Sequence, residues 1–151
     1  MILLKDVIEN GSWLNYEFPV NDELYKFRLK VLSFQKLNLF EVDEPEKINM
    51  WKNTIIWLME VEIINLSKDP MASGNLNKIT LINSKGSKFI RTGDLHLCQH
   101  SEFAKKKRLD RFFGPYLNPK IKAVGTLLFR LPVNDLDEYF ISNLNGNMYQ
   151  A

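Results

Sequence analysis

The sequence predicts an all-β fold, an antiparallel β-sandwich of about seven to nine strands. Residues 57–65 alternate between apolar and acidic side chains, and this period of two is typical of a strand half-buried in a sandwich. Other short apolar segments follow about every 8 to 15 residues, with turn-forming residues between them and no long helical pattern. The central strand is expected to seal these side chains in the core: Trp57, Met59, Val61 and Ile63.

Two leading strands are predicted in residues 1–25, at about residues 2–8 and 13–18. Asn10-Gly11 stands between them, and this dipeptide is a strong signal for a two-residue hairpin turn. We therefore expect the two segments to form a hairpin that precedes the main body of the sandwich.

Residues 25–34 form the next predicted strand, because apolar and basic side chains alternate along them. The alternation changes near the end of this strand, where Leu32 and Phe34 fall on the face opposite to Val31. This switch predicts a β-bulge, or a change of strand partner, near Ser33.

Two later segments also have clear strand signals. Residues 78–83 and 88–91 flank a polar turn in which Gly86 can adopt a positive φ, the pattern of a hairpin. Residues 124–131 alternate again and end at Pro132, since proline cannot donate a hydrogen bond to a neighbouring strand. Leu127, Phe129 and Leu131 are predicted to share one face of this strand, and Thr126, Leu128 and Arg130 the other.

The longest irregular stretch is a predicted loop at about residues 93–120. Ser101 can cap a short helix within this loop that runs to about Phe113 and stops at Gly114-Pro115. The loop is therefore expected to carry a short helix and to fold onto the sandwich.

The whole chain of 151 residues fits a single domain, large enough to bury roughly two thirds of the surface of its unfolded form. A last strand is predicted at residues 139–144, followed by a frayed tail at residues 145–151. No repeat or linker divides the chain, and no apolar run approaches the roughly 18 residues that a membrane helix needs.

Four motifs follow one another in an order that resembles a known family. They are a Lys-Val-Leu-Ser strand at residues 30–33, a hydrophobic and acidic strand ending in asparagine and a turn at residues 59–67, a strand leading into a polar-glycine turn and an aromatic residue at residues 79–89, and a glycine-led strand closing in proline at residues 125–132. The pattern resembles a bacterial immunoglobulin-like domain family of unknown function, common in secreted proteins and lipoproteins. This resemblance implies an immunoglobulin-like core over residues 26–144 and brings no catalytic residues with it.

The sequence and the resemblance give different indications of location. Family members usually carry an export signal, whereas residues 1–6 have no basic lead-in and too short an apolar run for one. Cys98 is the single cysteine, so no internal disulfide can form, and a lone thiol fits a reducing compartment. The residues favour the cytoplasm, and the resemblance favours a cell-envelope domain.

Positive charge is concentrated in the middle of the chain, although the formal net charge is only +2. Residues 1–77 carry 8 basic and 12 acidic side chains, whereas residues 78–130 carry 12 basic and 3 acidic ones. Such asymmetry can mark an anionic partner, or it can cancel when distant strands interleave in a sandwich.

The densest basic cluster lies in the predicted loop, within residues 94–118, and aromatic side chains flank it. We expect a non-enzymatic binding module that recognises another protein through this cluster, since loops on a rigid scaffold carry recognition. Nucleic-acid binding is one alternative, because basic groups with interleaved aromatic rings hold phosphates and stack on bases. An inhibitor or immunity-type protein that neutralises one cognate partner is another. The predicted partner-binding residues are Lys105, Lys106, Lys107, Arg108, Arg111, Phe112, Phe113 and Tyr116.

His96, Cys98 and His100 are candidate metal ligands, because they lie at alternate positions and have the side chains that suit zinc or copper. Alternate residues of one strand stand about 6.6 Å apart, however, so a single strand surrounds a tetrahedral ion poorly. We therefore predict no metal and no other cofactor. A Cys98–histidine dyad also lacks the supporting groups that activate a nucleophile, so no enzymatic activity is expected.

Overall fold

Antiparallel β-sheets form the fold, which a computed structural model describes for residues 1–36, 53–92, 113–133, 138–144 and 146–150. The elements in chain order are β1 (Ile2–Leu3), α1 (Leu4–Asn10), β2 (Trp13–Val20), β3 (Glu23–Lys36), β4 (Thr54–Asn65), β5 (Met71–Ala72), a 3-10 helix (Ser73–Lys78), β6 (Ile79–Ile82), β7 (Lys88–Phe89), β8 (Tyr116–Leu117), β9 (Lys122–Pro132), β10 (Phe140–Asn143) and β11 (Asn147–Gln150).

The strands pair in two main sheets and one short pair. The five-stranded sheet has the order β11-β2-β3-β4-β9, the four-stranded sheet has the order β1-β10-β6-β7, and β5 pairs with β8. All these pairs are antiparallel. Side chains of both sheets meet in one hydrophobic core, with Met59 and Phe129 from the five-stranded sheet and Leu81 and Ile141 from the four-stranded sheet. The predicted all-β class is confirmed.

β4 lies between β3 and β9 in the five-stranded sheet, where its alternating sequence buries one face in the core. Met59, Val61 and Ile63 are buried, as predicted. Trp57 differs from the prediction. It pairs with the buried Phe129 on the core face, but it is only half-buried because it lines an open cleft at this end of the sheet.

β3 contains the predicted bulge. Leu32 has no partner in β4, whereas its neighbours Val31 and Ser33 pair with consecutive residues of that strand. Odd-numbered residues of β3 face the core before the bulge and even-numbered residues face it afterwards. Phe34 and Lys36 therefore lie on the core face, and Leu32 itself is 37% exposed.

The predicted leading strand at residues 2–8 is wrong, because only β1 is a strand and the chain continues as α1. Leu4 and Val7 have helical spacing, and both are buried against the core. Gly11 caps the helix in the left-handed conformation with φ 60°, a geometry that glycine adopts without steric cost. Asn10-Gly11 thus ends a helix instead of forming a hairpin turn.

The prediction of a frayed tail at residues 145–151 is also wrong, because β11 pairs with residues 14–17 of β2. The predicted hairpin is confirmed: β6 pairs with β7, and Gly86 has φ 84°. The other predicted strands, at residues 13–18, 25–34, 124–131 and 139–144, correspond to β2, β3, β9 and β10. The helix predicted from Ser101 to about Phe113 lies outside the described residues, except for Phe113 itself.

Candidate functional site

A cleft with a volume of about 530 Å³ opens between α1 and the ends of β3, β4 and β9. Apolar and aromatic side chains form most of its wall, and charged side chains complete it. The elements supply Leu4 and Ile8 from α1, Phe34 from β3, Ile55 and Trp57 from β4, and Pro132 from β9.

β3 and β4 form the aromatic wall of the cleft, in the part of β3 that follows the bulge. The rings of Phe34 and Trp57 stack with centroids 4.9 Å apart and planes 15° apart. Lys36 pairs with Trp57 across the strands, and its Nζ lies 5.8 Å from the centroid of the indole ring. Because Leu32 is left unpaired at the bulge, Phe34 and Lys36 lie on the core face of β3 and contribute to this wall.

The opposite wall is tied to the four-stranded sheet. The backbone N–H of Leu4, at the start of α1, donates to the carbonyl of Tyr139 at 2.9 Å. Tyr139 is buried, and its ring packs edge-on against Phe89 with centroids 6.1 Å apart. α1 is therefore held to the segment that leads into β10, and the cleft lies between the two sheets.

Four charged side chains line the cleft and are exposed to solvent: Lys5 and Glu9 on α1, Lys36 on β3, and Glu138 just before β10. None of them forms an ion pair within 4.0 Å in the described part of the chain. An apolar wall with charges at its rim suits a ligand that is partly apolar and partly charged.

The described end of the predicted binding loop forms a second surface. Tyr116 is 65% exposed and Ile121 is 62% exposed. Both line a depression of about 290 Å³, together with Phe113 and Leu117. Exposed apolar side chains grouped beside a depression are typical of a contact surface.

Of the predicted partner-binding residues, the structure describes Phe113 and Tyr116. Phe113 is half-buried and packs against the core, whereas the ring of Tyr116 is exposed. The other predicted residues lie outside the described residues: Lys105, Lys106, Lys107, Arg108, Arg111, Phe112, and the metal candidates His96, Cys98 and His100.

Neither a cluster of metal-ligating side chains nor a membrane-crossing helix is found in the parts of the chain that the structure describes. No three His, Cys, Asp or Glu side chains in these parts of the chain are grouped so that they could hold a metal ion. No helix there is long and apolar enough to cross a membrane.

The sequence does not predict the cleft as a site. Its one local signal is the face switch at Phe34, which marks the bulge that turns Phe34 and Lys36 inwards. The α1 side of the cleft has no such signal, because residues 2–8 are predicted as a strand.

The fold and the cleft define an all-β protein with a ligand-sized opening between its sheets. In fold, the chain is similar to a conserved hypothetical protein from Bacillus anthracis, with 13% identity, a TM-score of 0.52, and coverage of 92% of this chain and 96% of that chain. A candidate lipoprotein (ycdA) from Bacillus subtilis subsp. subtilis strain 168 gives 11% identity and a TM-score of 0.47, covering 83% of this chain and 36% of its own. No family model and no curated protein matches the sequence.

Proposed function

We propose that this protein is a non-enzymatic binding module that recognises another protein through residues 94–118. The observation that carries the proposal is the exposure of Tyr116, 65%, beside Ile121, 62%, at the described end of this segment. Tyrosine is enriched among the residues that dominate binding energy at protein interfaces. Phe113, three residues before Tyr116, packs on the core and so holds the backbone there in place.

The charged part of the proposed surface precedes Tyr116 in the sequence. Its residues are Lys105, Lys106, Lys107, Arg108 and Arg111, with Phe112 next to them. Charges of one sign speed the encounter with a partner of opposite sign and set its orientation, so the partner surface is acidic. The aromatic residues then supply the apolar contact.

We also propose that the sandwich is immunoglobulin-like, as the order of the sequence motifs implies. Two antiparallel sheets around one core support this proposal. The long segment between β7 and β8 would then be an elaborated loop on a rigid scaffold, the usual position of recognition residues.

The test compares partner capture by the wild-type chain with capture by two variants and a control. Lys105, Lys106, Lys107 and Arg108 are replaced together by Glu, Tyr116 is replaced by Ala, and Lys88→Glu on the exposed part of β7 is the control. For a partner captured from an extract of the source organism and then purified, we expect the charge reversal to slow association and reduce its salt dependence. Tyr116→Ala should weaken the Kd about tenfold or more.

Capture that is unchanged by both variants would show that the surface is misassigned. The same variants distinguish the alternatives. The partner would be nucleic acid instead of protein if the chain binds single-stranded or double-stranded oligonucleotides, if this binding falls steeply with salt, and if charge reversal abolishes it. A single partner captured in a 1:1 complex whose own activity is abolished would identify an inhibitor or immunity-type protein.

A further inference from the structure

We propose that the cleft between α1 and the five-stranded sheet is a second, separate binding site, which takes a small amphipathic molecule with an apolar body and one anionic head group. This site does not depend on the proposed protein-binding surface, which lies on the segment around Tyr116. The apolar body lies against Phe34 and Trp57, and the head group pairs with Lys36.

The size and composition of the cleft account for the apolar body. A volume of about 530 Å³ lies in the range typical of sites for small ligands. Phe34, Ile55 and Trp57 are only half-buried, although they lie on the core face of the five-stranded sheet. A ligand that covers them removes apolar surface from water, which stabilises the complex.

The position of Lys36 accounts for the anionic head. Its Nζ lies 5.8 Å from the centroid of Trp57, so the cation is held beside the aromatic wall. In the described part of the chain no carboxylate lies within ion-pair distance of it. The other wall carries both carboxylates of the cleft, Glu9 on α1 and Glu138 before β10, against one cation, Lys5, so its net charge is negative. An anionic head is therefore favoured on the β3 side, which sets the orientation of the ligand.

The bulge provides a structural reason for this arrangement. If Leu32 were paired with β4 as in a regular strand, the alternation of β3 would place Phe34 and Lys36 on the outer face of the sheet, away from the cleft. Bulges commonly redirect side chains next to functional sites. Here the bulge, in which Leu32 is left unpaired, keeps both the aromatic ring and the cation at the opening between the sheets.

The test uses two probes with apolar chains of nearly equal length and opposite heads, decanoate and decyltrimethylammonium, titrated calorimetrically into the whole protein. We expect decanoate to bind with 1:1 stoichiometry and at least about tenfold more tightly than decyltrimethylammonium. Lys36→Glu should invert this preference, and Lys36→Gln should weaken decanoate binding alone. Trp57→Ala should weaken both probes, because it removes apolar wall.

Lys30→Gln is the matched control. Lys30 lies on the same strand but on the outer face, and its Nζ is also 5.8 Å from an indole ring, that of Trp13. This variant should bind decanoate as the wild type does. Urea unfolding of every variant verifies that it is folded, and the neutral Lys36→Gln replaces Lys36→Glu if the latter does not fold. Failure of both probes to bind, equal affinity for the two heads, or equal loss in Lys30→Gln and Lys36→Gln would overturn the proposal.

Discussion

At the scale of single residues, Asn65 shows how one side chain can join distant segments. It is 1% exposed, and its amide Nδ2 donates to the carbonyls of Asp69 at 2.9 Å and Leu117 at 2.8 Å. Its Oδ1 accepts from the backbone N–H of Ser67 at 2.9 Å. The sequence predicts that asparagine ends this strand in a turn, but the bond to Leu117 joins residues 52 apart and has no local signal.

Asn65→Ala should lower the free energy of unfolding by about 2 to 4 kcal/mol, because it leaves buried backbone groups without their partners. Urea denaturation gives the value. Asn75→Ala is the control, since Asn75 makes an exposed bond to the carbonyl of Ala72 at 3.1 Å, and its loss should cost about 0.5 kcal/mol or less. Equal effects of the two substitutions would contradict the structural role of Asn65.

The buried phenol of Tyr16 should make the stability of the folded protein depend on pH in the alkaline range. Its hydroxyl is buried and donates to the carbonyl of Ser142 at 3.0 Å, and burial raises the pKa of this phenol well above its ordinary value. In the unfolded chain the phenol ionises near pH 10, so the stability that Tyr16 contributes is complete below about pH 10 and is lost as pH rises further. The unfolding free energy should therefore fall above this pH.

Tyr16→Phe should cost about 1 kcal/mol near neutral pH, through the lost hydrogen bond, and should lose less stability than the wild type between about pH 9 and pH 11. Urea denaturation of both proteins across this range measures the difference. Parallel pH profiles would show that Tyr16 is not shielded from ionisation in the folded state.

At the scale of elements, local patterns predict strands and bulges better than they distinguish short strands from short helices. The alternation along β4 and the face switch in β3 are properties of the sequence itself, and the structure confirms both. The apolar run in residues 2–8 is so short that it fits both the period of a strand and the period of a helix. Its helical form depends on packing of Leu4 and Val7 against the core, which no local pattern specifies.

Deleting Leu32 should straighten β3 while preserving its register, because Val31 and Ser33 already pair with consecutive residues of β4. We expect the free energy of unfolding to change by no more than about 1 kcal/mol, and Phe34 to keep its contact with Trp57. Urea denaturation and cross-strand amide contacts measured by NMR check both expectations.

Deleting Glu62 provides the contrast, because β4 pairs continuously with β9 and has no extra residue there to absorb the change. A one-residue slip would turn core side chains outwards, so this variant should lose more than about 3 kcal/mol or fail to fold. Equal losses of unfolding free energy in the two deletions would show that β3 needs Leu32 to keep its pairing with β4.

At the scale of the whole molecule, the fold is held by pairings between segments far apart in sequence. β1 pairs with β10, and β11 pairs with β2, so the first and last described segments are both built into sheets. The sequence predicts neither pairing. Residues 147–150 have a polar, turn-rich lead-in that indicates a frayed tail, and only the open edge of β2 makes them a strand.

Deleting residues 147–151 tests whether this last strand is part of the fold. The deletion removes the β11 ladder and two side-chain bonds, from Tyr149 to Glu17 at 2.8 Å and from Gln150 to Ser12 at 2.7 Å. We expect the free energy of unfolding to fall by about 2 kcal/mol, measured in urea. β2 would become an unprotected edge, which promotes pairing between molecules, so size-exclusion chromatography should show concentration-dependent association. Tyr149→Ala, which keeps the backbone ladder, is the control and should remain as monodisperse as the wild type. If the deletion changed neither the free energy of unfolding nor the association, residues 147–151 would be a frayed tail.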